Sequence, residues 1–282
     1  MRNTLGLRTA ALAAALIISA GVGTTNTTFA DNGSDLRVIG LTDDGRLVRF
    51  RATAPRKTRD IGYVSGLAGA DTALIGMDFR VQDGKLYGVG NGGGVYTIDT
   101  ATAQATFVNA LSVTLSGNVF GVDFNPAADR LRIISDTGQN LAHNVTGVTA
   151  ANSTLTYTAP PAAPVAALGV TAAAYTNNDL DPSTATTLFD IDTTLDQAVI
   201  QSPPGAGILV ATGKLGFDAA PQVGFDIYSR NSRGVTTANQ AFASLIVNGK
   251  SSFYGVVLTT GRAFWLGTFD DTVVDIAVPI DQ

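Results

Sequence analysis

Gly76-Met77-Asp78-Phe79 recurs as Gly121-Val122-Asp123-Phe124, 45 residues further along the chain. The register then holds without a gap: Leu86 falls on Leu131, Val89 on Ile134, Tyr96 on Leu141 and Ile98 on His143. A third copy is Gly224-Phe225-Asp226-Ile227 and a last one Val273-Val274-Asp275-Ile276. Gly169-Val170-Thr171-Ala172 fits between them, with Thr171 in the aspartate position. The marked positions are spaced by 45, 48, 55 and 49 residues, and the wider gaps contain two insertions, Asn177 to Thr186 and Arg230 to Asn239.

The segments between markers are strand-like. Leu86-Tyr87-Gly88-Val89, Val95-Tyr96-Thr97-Ile98 and Leu131-Arg132-Ile133-Ile134 are short and β-rich. Asp44-Gly45, Asp83-Gly84 and Asn248-Gly249 supply hairpin turns. No run after the first thirty residues repeats apolar side chains at helical spacing. A unit of about 45 residues holding four short strands is the pattern of a β-propeller blade. Blade two is expected at Leu74–Phe79, Lys85–Gly90, Val95–Asp99 and Ala105–Ala110. The N-terminal region has three strands without a marker, Leu36–Leu41, Arg46–Arg51 and Thr58–Val64, and the last copy has only one strand left after its marker. Joined, they make one complete blade. The expected fold is therefore an all-β propeller of five blades, its ring closed by the C-terminal strand. Six blades is the alternative, if Ala167 to Gly216 hides a split unit. A β-sandwich with chance marker matches is the competing architecture.

Composition narrows the chemistry. The 282 residues include no cysteine and one histidine, and all 23 acidic residues are aspartate. Disulfides, thiol nucleophiles, Cys-ligated metals, HExxH sites and EF-hands closed by Glu are excluded. Residues 1–30 read as a secretory signal peptide: Arg2 and Arg8, an apolar run through Ala10 to Ile18, then Thr28-Phe29-Ala30 before a cleavage point. The mature protein is then a single domain, 31–282, exported and extracellular. Without Arg2 and Arg8 it has 16 cations against 23 aspartates, a net charge of −7. This argues against nucleic acid and against insertion or binding at an anionic membrane surface.

The stretch from Gly121-Val122-Asp123-Phe124-Asn125-Pro126 through Leu131-Arg132-Ile133-Ile134-Ser135-Asp136-Thr137-Gly138-Gln139-Asn140-Leu141 resembles the bacterial DUF4394 family, a domain of unknown function in exported proteins. Ile39-Gly40-Leu41-Thr42 and Ala173-Ala174-Tyr175-Thr176-Asn177-Asn178 also resemble it. The similarity runs from about Leu36 to Pro279. It implies a propeller-like, exported, all-β domain and carries no activity.

Asp78, Asp123, Asp226 and Asp275 are expected on innermost strands, around the central channel. Such a ring of carboxylates suits a hard cation such as Ca²⁺. The structural reading is that each accepts backbone N–H bonds where blades meet, since a joint recurs in every blade. The loop Asn177-Asn178-Asp179-Leu180-Asp181-Pro182-Ser183, with Asp190 and Asp192, is a second oxygen-rich cluster, although its residues are also ordinary turn formers. Gly90 to Gly94 reads as a hairpin loop, His143 as a packed, hydrogen-bonded core residue, and Trp265 as core of the last full blade. The functional expectation is a non-enzymatic binding or interaction module with an unknown extracellular ligand or protein partner. The alternative is a metal-assisted hydrolase or lactonase, in which Asp78, Asp123, Asn125 and Asp226 hold a channel cation.

Overall fold

Short β-rich runs punctuated by positive-φ turn residues leave the chain little choice but consecutive antiparallel hairpins. Gly45, Gly84 and Asn248 all turn with positive φ. A computed structural model of the chain describes residues 36–157 and 163–280. The leader expected at residues 1–30 lies outside them. The strands are β1 Arg37–Thr42, β2 Arg46–Arg51 and β3 Ala54–Tyr63; β4 Leu74–Phe79, β5 Leu86–Gly90, β6 Gly94–Ile98 and β7 Ala105–Ala110; β8 Phe120–Asn125, β9 Arg130–Ser135, β10 Asn140–His143 and β11 Thr149–Ala151. Next come β12 Thr156–Tyr157, β13 Val165–Ala166, β14 Val170–Tyr175, β15 Leu188–Asp192, β16 Gln197–Gln201 and β17 Ile208–Lys214. The last are β18 Ala219–Ser232, β19 Val235–Val247, β20 Lys250–Val256, β21 Ala263–Thr268 and β22 Val273–Ala277.

They form five sheets arranged as a five-blade propeller. Blade two has its strands within one residue of the expected bounds. Blade one is β22-β1-β2-β3, with Ile39 opposite Ala277 and Gly40 opposite Ile276. The C-terminal strand thus supplies the innermost ribbon of the first sheet and leaves no open end in the ring. The region from Ala167 to Gly216 hides no sixth blade. It forms blade four, β14 to β17, to whose outer edge β12 and β13 are added.

Each joint between neighbouring blades has its own apolar core. Ile39, Leu47, Met77 and Phe79 meet between blades one and two. Tyr87, Val89, Phe124 and Leu131 fill the next joint. Ile134, Tyr175 and Leu188 fill the third, Phe189, Ile191, Phe225 and Ile227 the fourth, and Val38, Phe50, Phe242 and Phe253 the fifth. A blade is therefore apolar on both faces, which is why its inner strands read as near-continuous apolar runs rather than clean alternation.

The insertion at Arg230 to Asn239 is not a loop. It lengthens β18 and β19 into one long hairpin. The blade-four insertion lies against it: the amide N–H of Asn177 donates to Asn239 Oδ1, Asn239 Nδ2 donates to Asn177 Oδ1, and the N–H of Thr236 donates to Asp179 Oδ2. Trp265, expected in the core, lies on an outermost strand and is 59% exposed. In a propeller the fourth strand of a blade faces outward, so an aromatic there need not be interior.

Candidate functional site

The repeated motif is built for close approach around the axis. Its glycine sits where a side chain would strike the next inner strand. A Cβ on Gly121 would stand 2.6 Å from the backbone N of Ala173, and one on Gly224 the same distance from Asp275 Cα. The aspartate two residues on then reaches across the joint. Asp78 Oδ2 accepts the N–H of Phe124 at 2.7 Å, Asp123 Oδ1 that of Tyr175 at 2.9 Å, and Asp226 Oδ2 that of Val278 at 2.5 Å. Asp78 and Asp226 also accept from the residue after them, Phe79 and Ile227.

Strand register corrects two of the marker assignments. Asp78 lies opposite Tyr87, and Asp123 opposite Arg132. The residue at that level in blade four is Ala174, opposite Phe189, and not Thr171. In blade one it is Ala277, opposite Ile39. The amides bonded by Asp78, Asp123 and Asp226 are those immediately after Asp123, Ala174 and Ala277, so one rule covers three joints. Asp275 stands two residues earlier and works differently: its Oδ2 accepts the N–H of Met77 and its Oδ1 that of Ile276. The sequence alignment slipped because short β motifs have little to distinguish one residue's offset from the next.

Around the axis the level therefore reads Asp78, Asp123, Ala174, Asp226, Ala277. Carboxylate oxygens of Asp78, Asp123 and Asp226 lie within 4.8 Å of one another, all buried; Asp275 is not in that triple. Burial, and then the charge of Asp226, hold the Asp78 carboxyl well above the usual carboxylate range. Burial, and then the charges of Asp78 and Asp226, do the same for Asp123. Burial pushes Asp226 up to about 7, against the opposing N–H bonds from Val278 and Ile227. Asp275 is raised by burial as well. Three carboxyls this close cannot all be ionised without a cation among them.

The other candidates fall elsewhere. In the Asn177–Ser183 loop, Asp181 accepts from Ser183 and Asp179 from Asp181 N and Thr236 N. Asp190 and Asp192 belong instead to β15, where Asp192 accepts from Tyr157 Oη at 2.6 Å. The glycine-rich turn closes on Asp71, which accepts the N–H groups of Gly92 and Gly94. His143 is buried, with Nδ1 bonded to Thr149 Oγ1 and Nε2 to Asn109 Oδ1, both at 2.9 Å.

A buried polar network between blades three and four was not legible in the sequence. Arg132, where the preceding blade has Tyr87, bonds Asn140 Oδ1 at 2.6 Å, Asn152 Oδ1 at 2.7 Å and Tyr175 Oη at 3.3 Å. Asp190 is fully buried, and neither of its oxygens has a donor among the described residues. Burial raises its pKa strongly, and the nearby charge of Arg132 only partly offsets this. The departure of Arg132 from the repeat was the one available signal.

The family model for a domain of unknown function, DUF4394, matches residues 46–277. The chain belongs to the DUF4394 family. No curated protein sequence matches this DUF4394 chain significantly. Among solved structures it is similar to hydrazine synthase of Kuenenia stuttgartiensis, with 11% identity and a TM-score of 0.42 over 76% of this chain and 53% of that one. It thus spans about half the length of that protein. It is also similar to a protein of unknown function from Bacteroides thetaiotaomicron, with 11% identity and a TM-score of 0.44 over 89% of this chain and 68% of that one. TolB from Acinetobacter baumannii shows 9% identity and a TM-score of 0.46 over 88% and 68%.

Proposed function

We propose that this DUF4394 protein is an exported, non-catalytic binding propeller whose axial carboxylates act as joints and whose ligand contacts lie away from the axis. One observation carries this reading. Asp78, Asp123 and Asp226 are buried and Asp275 is partly buried, and all four, the groups best suited to hold a catalytic cation, accept backbone N–H groups of the neighbouring blade. A carboxylate engaged in this way is poorly placed to exchange ligands during turnover.

The metal-assisted hydrolase reading is favoured by a different observation, the convergence of three carboxylates within 4.8 Å. Calcium takes 6–8 oxygen ligands. The neighbouring level positions are Ala174 and Ala277, which supply no side-chain oxygen, so donors beyond the triple would have to come from other levels, from backbone carbonyls or from water.

Thermal unfolding separates the two. The expected result is that Ca²⁺ at about 1 mM, the range of extracellular sites, leaves Tm unchanged and that EDTA does not lower it. A Ca²⁺-dependent rise in Tm that Asp123→Asn abolishes and Asp218→Asn preserves would assign the axis to a cation instead. Metal-dependent turnover in a screen of lactones and esters would make the protein an enzyme.

A further inference from the structure

Cations are unevenly spread along this acidic chain. Seven of its 18 Lys and Arg residues lie between Arg37 and Arg59, in blade one. The sheet divides them between its faces. On one, Arg46 bonds Asp44, Asp60 and Asp271, and Arg56 bonds Asp270. On the other, the register sets Arg37 directly across from Arg51 and Arg49 directly across from Arg59. Like charges directly opposite in a sheet are destabilising, so folding gives no reason for the Arg49–Arg59 pair. Among the described residues, Arg49, Lys57 and Arg59 make no ion pair. The β2–β3 register also breaks between Arg49 and Arg51, leaving residues 55–58 opposite Phe50 alone. A cleft of about 390 Å³ opens there, lined by Arg37, Arg49, Arg51, Lys57 and Arg59 with Phe50 and Ala54.

We propose that this cleft binds a small multivalent oxyanion, a molecule bearing two or more phosphate or carboxylate groups. The inference rests on the binding-module reading and names its ligand class. The volume falls in the range of small-molecule sites. Four of the five cations are arginine, whose planar fork matches carboxylate and phosphate oxygens in pairs. The rest of the molecule argues for a short ligand. Outside residues 37–59 the sequence has 11 cations against 21 aspartates, so a long polyanion leaving the cleft would run over repelling surface.

The test is isothermal titration calorimetry of the mature protein at about 0.01 M salt, where charge acts over about 30 Å. Pyrophosphate is titrated in one arm and citrate in the other, which separates the phosphate source from the carboxylate source. Saturable one-site binding is expected in at least one arm. Arg49→Ala/Arg59→Ala should weaken it by about tenfold or more, the loss expected for charged hydrogen bonds. Arg130→Ala/Arg262→Ala, which removes equal charge from exposed positions on other blades, should leave it unchanged. Removing facing like charges should not lower Tm, and Lys57→Gln provides a second, milder variant. No saturable binding in either arm, equal weakening by both double variants, or binding only of a long sulfated polysaccharide would overturn the proposal. None of these outcomes touches the non-catalytic reading, which the turnover screen decides by itself.

Discussion

At the scale of single residues, the recurring Gly-x-Asp is one device with two parts. The glycine lets two inner strands approach, and the aspartate uses that approach to accept an amide across the joint. Gly121 has no unusual φ, so its requirement is steric: Gly121→Ala should lower stability by about 1–3 kcal/mol, the usual cost of overpacking, measured by urea unfolding. The carboxyls set a pH dependence. Asp78, Asp123, Asp190, Asp226 and Asp275 all have folded pKa values raised above the ordinary 3.8. A raised acid binds its proton more tightly in the folded state. Its contribution is therefore complete below the unfolded pKa and lost as pH rises through the folded one. For Asp226 that window runs from 3.8 to about 7. Tm should accordingly rise as pH is lowered from neutral towards 5, and Asp190→Asn should flatten that rise. A Tm that falls steadily over the same interval would mean that these carboxyls are ionised and compensated.

At the scale of elements, the two insertions behave as one. The blade-four loop and the lengthened β18–β19 hairpin hold each other through Asn177, Asp179, Thr236 and Asn239. Asp179→Ala removes the acceptor of the Thr236 amide. Hydrogen exchange at residues 230–239 should then quicken, while the amides of β20, a core strand, keep their protection. Equal acceleration in both regions would show that the contact supports the whole blade rather than the hairpin tip. The break in β2–β3 pairing between Arg49 and Arg51 has a comparable local effect, since it makes room for the cationic cleft.

For the whole molecule, stability is shared among five joints, each with its own core, and circular closure depends on β22 alone. Removing residues 273–282 would expose the inner edge of β1 and strip Val273, Ile276 and Val278 from the core they share with blade five. The truncated chain should lose its cooperative thermal transition and aggregate through the opened edge. A sharp transition with unchanged near-ultraviolet circular dichroism would show that the ring does not depend on closure.

Repeat length, turn residues and the absence of helical periodicity sufficed to specify blades and the joining of the two ends, and favoured five blades over six; the strand pairing decided for five. Those properties are written in local chemistry repeated five times, and repetition makes a weak signal readable. Which residues share a level around the axis was decided only by tertiary register. Slips of two residues at Asp275 and three at Thr171 leave the apolar pattern almost unchanged, because β14 is buried throughout and bulges between Val170 and Ala172, so Ala174 and Ala277 could not be told from Thr171 and Asp275. The Arg132 network beside the unpartnered Asp190 and the cationic face of blade one likewise exist only once strands lie side by side. Pairing across a sheet turns charges scattered along a sequence into a surface.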